Sequence, residues 1–239
     1  MSKVFAIDDT DNPEVVGQLG AQLAKLAKIG VSIVDGFVIP IGQKLEYGAS
    51  NAILTAYDKL GAESVILRSS VNAHTYDSEV IRKVRRDNLL DTISYMQKNA
   101  ARHGRIIAIV VQRDLEAEVS GTIHSINPVT LDRKEMLIEA NLWMNSTVLS
   151  GESEADMIIV NRRTGALALE SDNENEICLT PRQISQLHTV CRKISSRFGQ
   201  EMSVDWAYDN GKLFILRARP IDEKILERFK WCYTRRSYY

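Results

Sequence analysis

The sequence lacks the features that mark secreted, zinc-binding or membrane-spanning chains. It has only three cysteines, Cys178, Cys191 and Cys232, and no pair of them shows C-x-x-C spacing. An odd number of scattered cysteines favours reduced thiols over a disulfide framework or a zinc site. No apolar run is long enough to cross a bilayer, and the amino-terminal MSKVFAIDDTDNPEV has no apolar core of a signal peptide. We therefore expect a cytoplasmic protein.

The chain also lacks an excess of either charge. Its 30 Lys and Arg residues balance 31 Asp and Glu residues, which leaves a net charge of −1. Without bulk positive charge there is no general attraction to nucleic acid or to an anionic membrane. The carboxy-terminal EKILERFKWCYTRRSYY does interleave basic and aromatic residues, a pattern that can bind single-stranded nucleic acid. We favour an amphipathic helix that docks Ile225, Leu226 and Phe229 on the domain, with partner docking as the alternative.

Hydrophobic periodicity divides the remaining chain into helical and extended segments. A helix is predicted over 17–30, a basic helix over 77–101, and a third that begins at Thr180 and Pro181 and ends at Gly199. The apolar run RIIAIVVQRDL predicts a strand buried on both faces, and NRRTGAL predicts a hairpin turn.

Composition and charge indicate an α/β protein, and its segments fall into three parts. These are an N-terminal subdomain over 1–105, a β-rich subdomain over 106–222, and a basic–aromatic tail over 223–239.

The stretch MSVDWAYDNGKLFILRARPID, residues 202–222, predicts a β-hairpin whose register depends on the turn. A two-residue loop, Asn210-Gly211, places Asp205 opposite Leu216. A three-residue loop places Asp205 opposite Ile215 instead. The two registers differ by one residue, so they send the side chains of one strand to opposite faces.

We predict the three-residue loop, because it keeps the charged side chains together. In that register Asp205, Arg217 and Arg219 share one face. The two-residue loop buries Asp205 among Phe214 and Leu216, which costs several kcal/mol for an unpaired carboxylate. The shared face can be an internal ion pair at a sheet edge. It can also be a floor for a polyanion, on which guanidiniums grip phosphate oxygens and a carboxylate holds a divalent cation.

Five segments occur in the order seen in one protein family. They are VGQLGAQLAKLAKIGVSIVDGFVIP, VILRSS, IVVQRDLEAEVSGTIHSINPVT, LIEANLWMNSTVLSGE and VDWAYDNGKLFILRARPI. Together they resemble the N-terminal nucleotide-binding domain of phosphoenolpyruvate synthase and pyruvate phosphate dikinase, over roughly residues 14–222. The resemblance implies an α+β protein of ATP-grasp fold, with two subdomains of antiparallel or mixed sheet that enclose a nucleotide cleft. It also implies ATP as cofactor and phosphorylation of a histidine on a separate domain.

The resemblance assigns roles to individual residues. Arg68 and Arg219 match arginines that contact the phosphates of ATP and serve catalysis. Gln112 and Leu115 fall in the segment along the adenine, and Glu139 matches the glutamate of an Ile-Glu-Ala strand in the nucleotide site. The four histidines match no phosphohistidine motif and are expected to be structural or on the surface. After VILRSS, the phosphate-covering loop of the family appears shortened to VNAHTYDSEV.

Four positions depart from the family pattern. Leu19 replaces a phosphate-binding lysine, Ser203 an aspartate, and Arg217 a glutamine on the metal side, while Asp205 replaces a glutamate. Asp205 is then the one clear magnesium ligand of this set, so magnesium is doubtful. Arg217 either restores the positive charge lost at Leu19 or pairs with Asp205 and closes the floor.

Two hypotheses about function follow from these assignments and departures. The first is an ATP-dependent phosphotransferase that acts on a histidine domain or small acceptor supplied in trans. The second is a catalytically reduced nucleotide-binding or scaffold protein that acts through a partner.

Overall fold

The structure, a computed structural model, describes residues 4–72, 78–142, 156–169, 178–223, 225–227 and 229. Half of the expected phosphate-covering loop, with His74, lies outside the described residues, as do Cys232 and the end of the basic–aromatic tail. By its internal contacts the chain divides into two units, Met1–Leu115 and Glu116–Tyr239. No helix in the described ranges is both long and apolar enough to cross a membrane.

The first unit is a five-stranded antiparallel sheet with helices. Its strands are β1 (Phe5–Ala6), β2 (Gly36–Ile39), β3 (Val65–Ser70), β4 (Val80–Val84) and β5 (Ala108–Arg113), in the order β1-β2-β5-β3-β4. Its helices are α1 (Pro13–Lys28), α2 (Tyr47–Leu60) and α3 (Leu89–Arg102), with a short 3-10 turn at Arg86–Asn88. The apolar faces of α2 and α3 pack on the sheet around Ile53, Ile93 and Ile109.

The strand β5 is central to the first sheet, whereas the sequence analysis placed it at the start of the second half. It pairs with β2 on one side and β3 on the other, and its residues from Ala108 to Val111 are fully buried. Its burial on both faces was predicted correctly. The strands that pair with β5 were not predicted, because they lie about 40 to 70 residues earlier in the chain.

The helix expected over 77–101 is wrong in its first part. Residues Val80–Val84 form the edge strand β4, and the helix begins only at Leu89. The edge strand is held by Asp114, whose Oδ1 lies 2.7 Å from Arg82 Nη2 and whose Oδ2 accepts a hydrogen bond from Lys83 N at 2.9 Å. Pairing with β3 and this buried carboxylate outweigh the helical propensity of the basic residues.

The second unit is a six-stranded antiparallel sheet with one long helix. Its strands are β6 (Val119–His124), β7 (Glu135–Asn141), β8 (Asp156–Asn161), β9 (Leu167–Leu169), β10 (Met202–Asp209) and β11 (Lys212–Pro220), in the order β11-β10-β6-β7-β8-β9. The helix is α4 (Pro181–Phe198). Thr180 and Gln183 form a capping box at its start, and Gly199 ends it in the left-handed conformation. The predicted bounds of this helix are confirmed.

The hairpin β10–β11 has the two-residue turn, so the predicted three-residue loop is wrong. Asp209 pairs with Lys212, and Asn210 and Gly211 both have positive φ, as a type I′ turn requires. A bulge at Leu216 then shifts the register, and Asp205 pairs with Arg217 rather than with Ile215. The extra residue of the bulge brings Asp205 and Arg217 to the same face, an effect that was expected from the longer loop.

Candidate functional site

One face of the second sheet carries the charged residues of the hairpin. Asp205 pairs directly with Arg217, and Ser203 pairs directly with Arg219, so all four side chains lie on the same face. The prediction that Asp205, Arg217 and Arg219 share a face is therefore confirmed. We call this side of the sheet the polar face.

The polar face continues across the neighbouring strands. Asp205 pairs with Thr122 of β6, and Thr122 pairs with Glu139 of β7. In the adjacent row, Ser203 pairs with His124. The register therefore aligns two acidic, two basic and three further polar side chains on four consecutive strands.

Asp205 contacts both a hydroxyl and a guanidinium of the polar face. Its Oδ1 accepts a hydrogen bond from Thr122 Oγ1 at 3.0 Å and lies 3.7 Å from Arg219 Nη2. The side chains of Asp205 and Arg219 keep 27% and 21% of their surface exposed. At 3.7 Å the ion pair is looser than a direct charge-assisted hydrogen bond, so the Arg219 guanidinium retains capacity for an anion.

Glu139 and His124 form a second, more deeply buried pair. His124 Nε2 lies 3.0 Å from Glu139 Oε2, and their side chains are 1% and 14% exposed respectively. The carboxylate accepts this bond, so Nε2 carries the hydrogen. From the sequence, His124 was expected to be structural or on the surface. The alternation of residues in VSGTIH places His124 on the same face as Thr122, and this pattern is the signal that could have identified it.

Three buried polar atoms of the polar face have no hydrogen-bond partner in the described structure. They are His124 Nδ1, Ser203 Oγ and Arg219 Nε, from three residues that are direct neighbours in one row. A buried polar group without a partner costs about 1–3 kcal/mol. Ser203 stands where the family pattern has an aspartate, and neither its hydroxyl nor Arg219 Nε has a hydrogen-bond partner among the described residues.

The described part of the C-terminal tail docks on the polar face. We call residues 221–223, 225–227 and 229 the C-terminal segment. Ile225 and Phe229 are buried against Leu137, which pairs with His124 and shares its face. The ring of Phe229 meets that of His124 at 90° with the centroids 5.1 Å apart. The docking of Ile225 and Phe229 was predicted, but its location was not.

Arg68 and Gln112 lie together in the first unit. They are on the adjacent strands β3 and β5, and Arg68 Nη1 donates to Gln112 Oε1 at 3.4 Å. Gln112 is buried, and its Nε2 donates to Val34 O at 2.9 Å. Both ends of the Gln112 amide are therefore occupied within the unit, and this side chain orients Arg68.

Leu115 and Leu19 are both buried in the first unit. The Leu115 carbonyl accepts a hydrogen bond from Arg82 Nη2 at 3.0 Å. Leu19 is 8% exposed and belongs to the core side of α1. The position of the family's phosphate-binding lysine is thus occupied by a core residue.

The motif around Leu19 has a glycine that the fold requires. Gly17 breaks the helical conformation of α1 with φ 68°, and a Cβ there would lie 2.2 Å from Ser70 Oγ and 2.5 Å from Ser70 O. Ser70 Oγ accepts from Gly20 N and donates to Val16 O. This contact joins α1 to the end of β3, two residues beyond Arg68.

The donor set around Asp205 does not fit a magnesium ion. Among the described residues, no group of three His, Cys, Asp or Glu side chains converges as metal ligands do. Asp205 has Arg217 as its direct cross-strand neighbour and Arg219 at 3.7 Å. Magnesium favours an octahedral shell of oxygens, and two adjacent guanidiniums oppose the entry of a divalent cation.

Comparison with known proteins identifies relatives and the fold. The family model described as "Pyruvate phosphate dikinase, AMP/ATP-binding domain" matches residues 79–172 and 161–230, more than half of the chain. A probable phosphoenolpyruvate synthase of Methanocaldococcus jannaschii is 28% identical over an alignment of 153 residues, with 54% of this chain and 13% of that protein covered. Rifampicin phosphotransferase of Bacillus subtilis is 26% identical over an alignment of 151 residues, with 54% of this chain and 17% of that protein covered. The chain thus spans less than a fifth of either relative.

The solved structures agree on the architecture. A biotin carboxylase from Campylobacter jejuni, solved as a β,γ-ATP complex, matches with a TM-score of 0.54 and 10% identity, over 90% of this chain and 43% of that one. At this identity the match shows the fold alone. It confirms the predicted α+β ATP-grasp fold.

Proposed function

The chain belongs to the family of the pyruvate phosphate dikinase AMP/ATP-binding domain, and from that membership we propose that it binds ATP through the polar face. The observation that carries the proposal is the common orientation of Arg217 and Arg219 beside Asp205. Guanidiniums recognise phosphate oxygens by paired, charge-assisted hydrogen bonds. The family pattern also assigns a phosphate contact to Arg68 and an adenine contact to the segment of Gln112 and Leu115, and we propose both roles for these residues of the first unit.

The reaction proposed for this site is transfer of a phosphoryl group to an acceptor supplied in trans. The acceptor is a histidine on a partner domain or a small molecule. Support comes from the relatives, whose names include a phosphoenolpyruvate synthase and a rifampicin phosphotransferase. This chain covers only 13% and 17% of those proteins, and we propose that a separate domain or molecule supplies the acceptor.

A catalytically reduced nucleotide-binding protein is the second candidate, and a specific observation favours it. Phosphoryl transfer depends on positioning and on neutralising charge as it develops. Here Leu19 is a core residue, Ser203 is buried without a hydrogen-bond partner, and Arg217 stands directly opposite Asp205. We therefore expect ATP binding with little dependence on magnesium and slow transfer.

Calorimetric titration with ATP tests the binding proposal. We expect saturable binding whose Kd changes by less than about threefold between excess magnesium and excess chelator, a difference of ~0.7 kcal/mol. The Arg217→Gln, Ser203→Asp double variant removes one cation and restores one carboxylate, so its affinity should gain magnesium dependence. Absence of saturable ATP binding in both conditions refutes the proposal.

The two candidate functions separate in a transfer assay. With γ-labelled ATP and an isolated phosphohistidine domain of a phosphoenolpyruvate synthase as acceptor, a phosphotransferase labels the acceptor over many turnovers. A reduced protein binds ATP and labels nothing above the rate without enzyme. Restoration of labelling in the double variant would assign the loss to positions 203 and 217.

A further inference from the structure

We propose that Phe229 and His124 are positioning residues for Glu139, so that nucleotide binding on the polar face depends on the docked C-terminal segment. The inference rests on the proposed ATP binding and deepens it. It assigns a role to a segment that follows β11 and to a histidine that matches no phosphohistidine motif.

In this proposal, Phe229 and His124 both act on nucleotide binding through the position of the Glu139 side chain. Cross-strand pairing places it in the row of Thr122 and Asp205, the row that carries the proposed phosphate contact Arg217 at its other end. Its side chain is 14% exposed, so only a small part of it is accessible to a ligand. A carboxylate presented in this way accepts hydrogen bonds from a ligand only if its rotamer is held.

His124 holds that rotamer through one bond. Its Nε2–H donates to Glu139 Oε2 at 3.0 Å, and its Nδ1 is buried without a partner in the described structure. The second ring nitrogen of a functional histidine usually makes a hydrogen bond that fixes the ring. In the described structure Nδ1 of His124 makes no such bond. Something else must prevent the imidazole from rotating away from Glu139.

Phe229 supplies that restraint by contact. Its ring meets the imidazole edge-to-face with centroids 5.1 Å apart. Phe229 itself is buried with Ile225 and Leu137 in a cluster that Val129 and Ile159 complete. An aromatic ring enclosed in this way excludes the space into which the imidazole would turn.

The C-terminal segment is anchored at its start as well. Ile221 N donates to Glu201 O at 2.9 Å, and Asp222 Oδ1 accepts from Ile225 N at 3.0 Å. The segment therefore leaves β11 in a fixed direction, with a side-chain cap on its first helical turn. Its register, and with it the position of Phe229 over His124, follows from these two bonds.

A double-variant cycle tests whether Phe229 and His124 act through Glu139. We expect Phe229→Ser and His124→Asn each to raise the Kd for ATP by about tenfold, the usual scale for loss of a residue that orients a ligand-binding group. In a Glu139→Gln background neither change should raise the Kd further, because both residues act through the Glu139 carboxylate, which this background lacks. His124→Gln, whose amide nitrogen can take the place of imidazole Nε2, should stay within about threefold of the unmodified chain.

The imidazole signals of His124 give a readout that a purely structural role would not move. In ¹⁵N spectra of the ring, we expect a hydrogen-bearing Nε2 and a bare Nδ1 in the unmodified protein. Phe229→Ser should mix the two tautomers, and Phe229→Leu, which keeps the apolar contact, should do so less and serves if Phe229→Ser does not fold. His188→Asn is the matched control, since His188 is also buried but bonds to Arg162 O at 2.9 Å, away from the polar face.

Each outcome of the cycle bears on a different statement. Additive effects of Phe229→Ser and Glu139→Gln, or a Kd that none of the variants changes, overturn the positioning role and leave ATP binding intact. An equal loss with His188→Asn assigns the effect to stability and also overturns it. Failure of the unmodified chain to bind ATP overturns the proposed function, and this inference with it.

Discussion

At the scale of single residues, Arg219 retains capacity for further hydrogen bonding on the polar face. Its Nη2 is 3.7 Å from Asp205, and its Nε is buried without a partner in the described structure. A guanidinium that is only partly neutralised attracts an anion more strongly than one locked in a bidentate pair. The residue inherited from the family pattern is therefore still equipped to hold a phosphate.

Loss of Arg219 should weaken ATP binding directly. Arg219→Gln removes the charge while keeping much of the length, and we expect the Kd for ATP to rise at least tenfold, or ~1.4 kcal/mol, as for a lost charge-assisted hydrogen bond. Arg85→Gln is the control, because Arg85 is exposed and pairs with Glu63 in the first unit. Equal affinities of the two variants in calorimetry would refute the assignment.

The pH dependence of stability should reveal a second charged pair, away from the polar face. Hydrogen bonds from Arg162 at 2.9 Å and Ser125 at 2.7 Å lower the pKa of Glu201 below its ordinary value of 4.5, against the opposing effect of burial. A carboxyl whose pKa is lowered by folding stabilises the fold above its unfolded pKa, and the contribution is lost as pH falls through the folded pKa.

Glu201→Gln should therefore lower the free energy of unfolding at pH 7, and the difference from the unmodified chain should shrink steadily below pH ~4.5. Urea unfolding at a series of pH values measures this. A difference that is the same at pH 7 and pH 3 would show that the charge of Glu201 contributes nothing.

At the scale of elements, local signals could be predicted from the sequence and distant pairings could not. Thr180 and Pro181 determine the start of α4, and Gly199 determines its end; each acts within one turn of its own position. The partners of β5 and the position of Phe229 over His124 depend on residues far along the chain. No periodicity within one segment contains that information.

The candidate site shows the same division. The common face of Asp205 and Arg217 was predictable because burying the carboxylate is costly. The bulge at Leu216 that produces it was not, since no residue type in FILRAR demands a bulge. His124 was missed because a buried histidine acquires a role only from its neighbours.

The junction between α1 and β3 predicts a destabilising substitution. Gly17→Ala puts a methyl group within 2.5 Å of the Ser70 backbone at a φ of 68°, and we expect a loss of more than ~2 kcal/mol from overpacking and strain together. Gly104→Ala is the matched control: its φ is 66°, and nothing lies within 4 Å of the added carbon. It should lose only the conformational part, ~1 kcal/mol. Equal losses in thermal unfolding would show that Ser70 yields to the methyl group.

At the scale of the whole molecule, the fold of an AMP/ATP-binding domain carries a polar face on which two guanidiniums lie beside two carboxylates. The fold is kept, as the match to a biotin carboxylase over 90% of the chain shows. Three polar atoms of the polar face are buried without a hydrogen-bond partner in the described part of the chain, and one of them belongs to the altered position Ser203. Retention of the fold and alteration of the donor set are independent, because the core residues that define the sheets are not those that line the polar face.

Ligand binding should be visible as stabilisation of the folded chain. A ligand that binds only the folded state at a concentration of 100 Kd contributes about 2.7 kcal/mol to the free energy of unfolding. We expect ATP to raise the midpoint of thermal unfolding to a similar extent with magnesium and with chelator. An increase that occurs only with magnesium would contradict the altered donor set.

The bulge at Leu216 has a consequence for how related sequences should be aligned. At a fixed chain length, the face on which Arg217 emerges depends on whether the number of unpaired residues in the turn and the bulge together is odd or even. A hairpin of the same length with a three-residue turn and no bulge presents the same face, whereas one with a two-residue turn and no bulge presents the opposite face. Paired gaps of opposite sign at the turn and at the bulge are thus compatible with a preserved polar face.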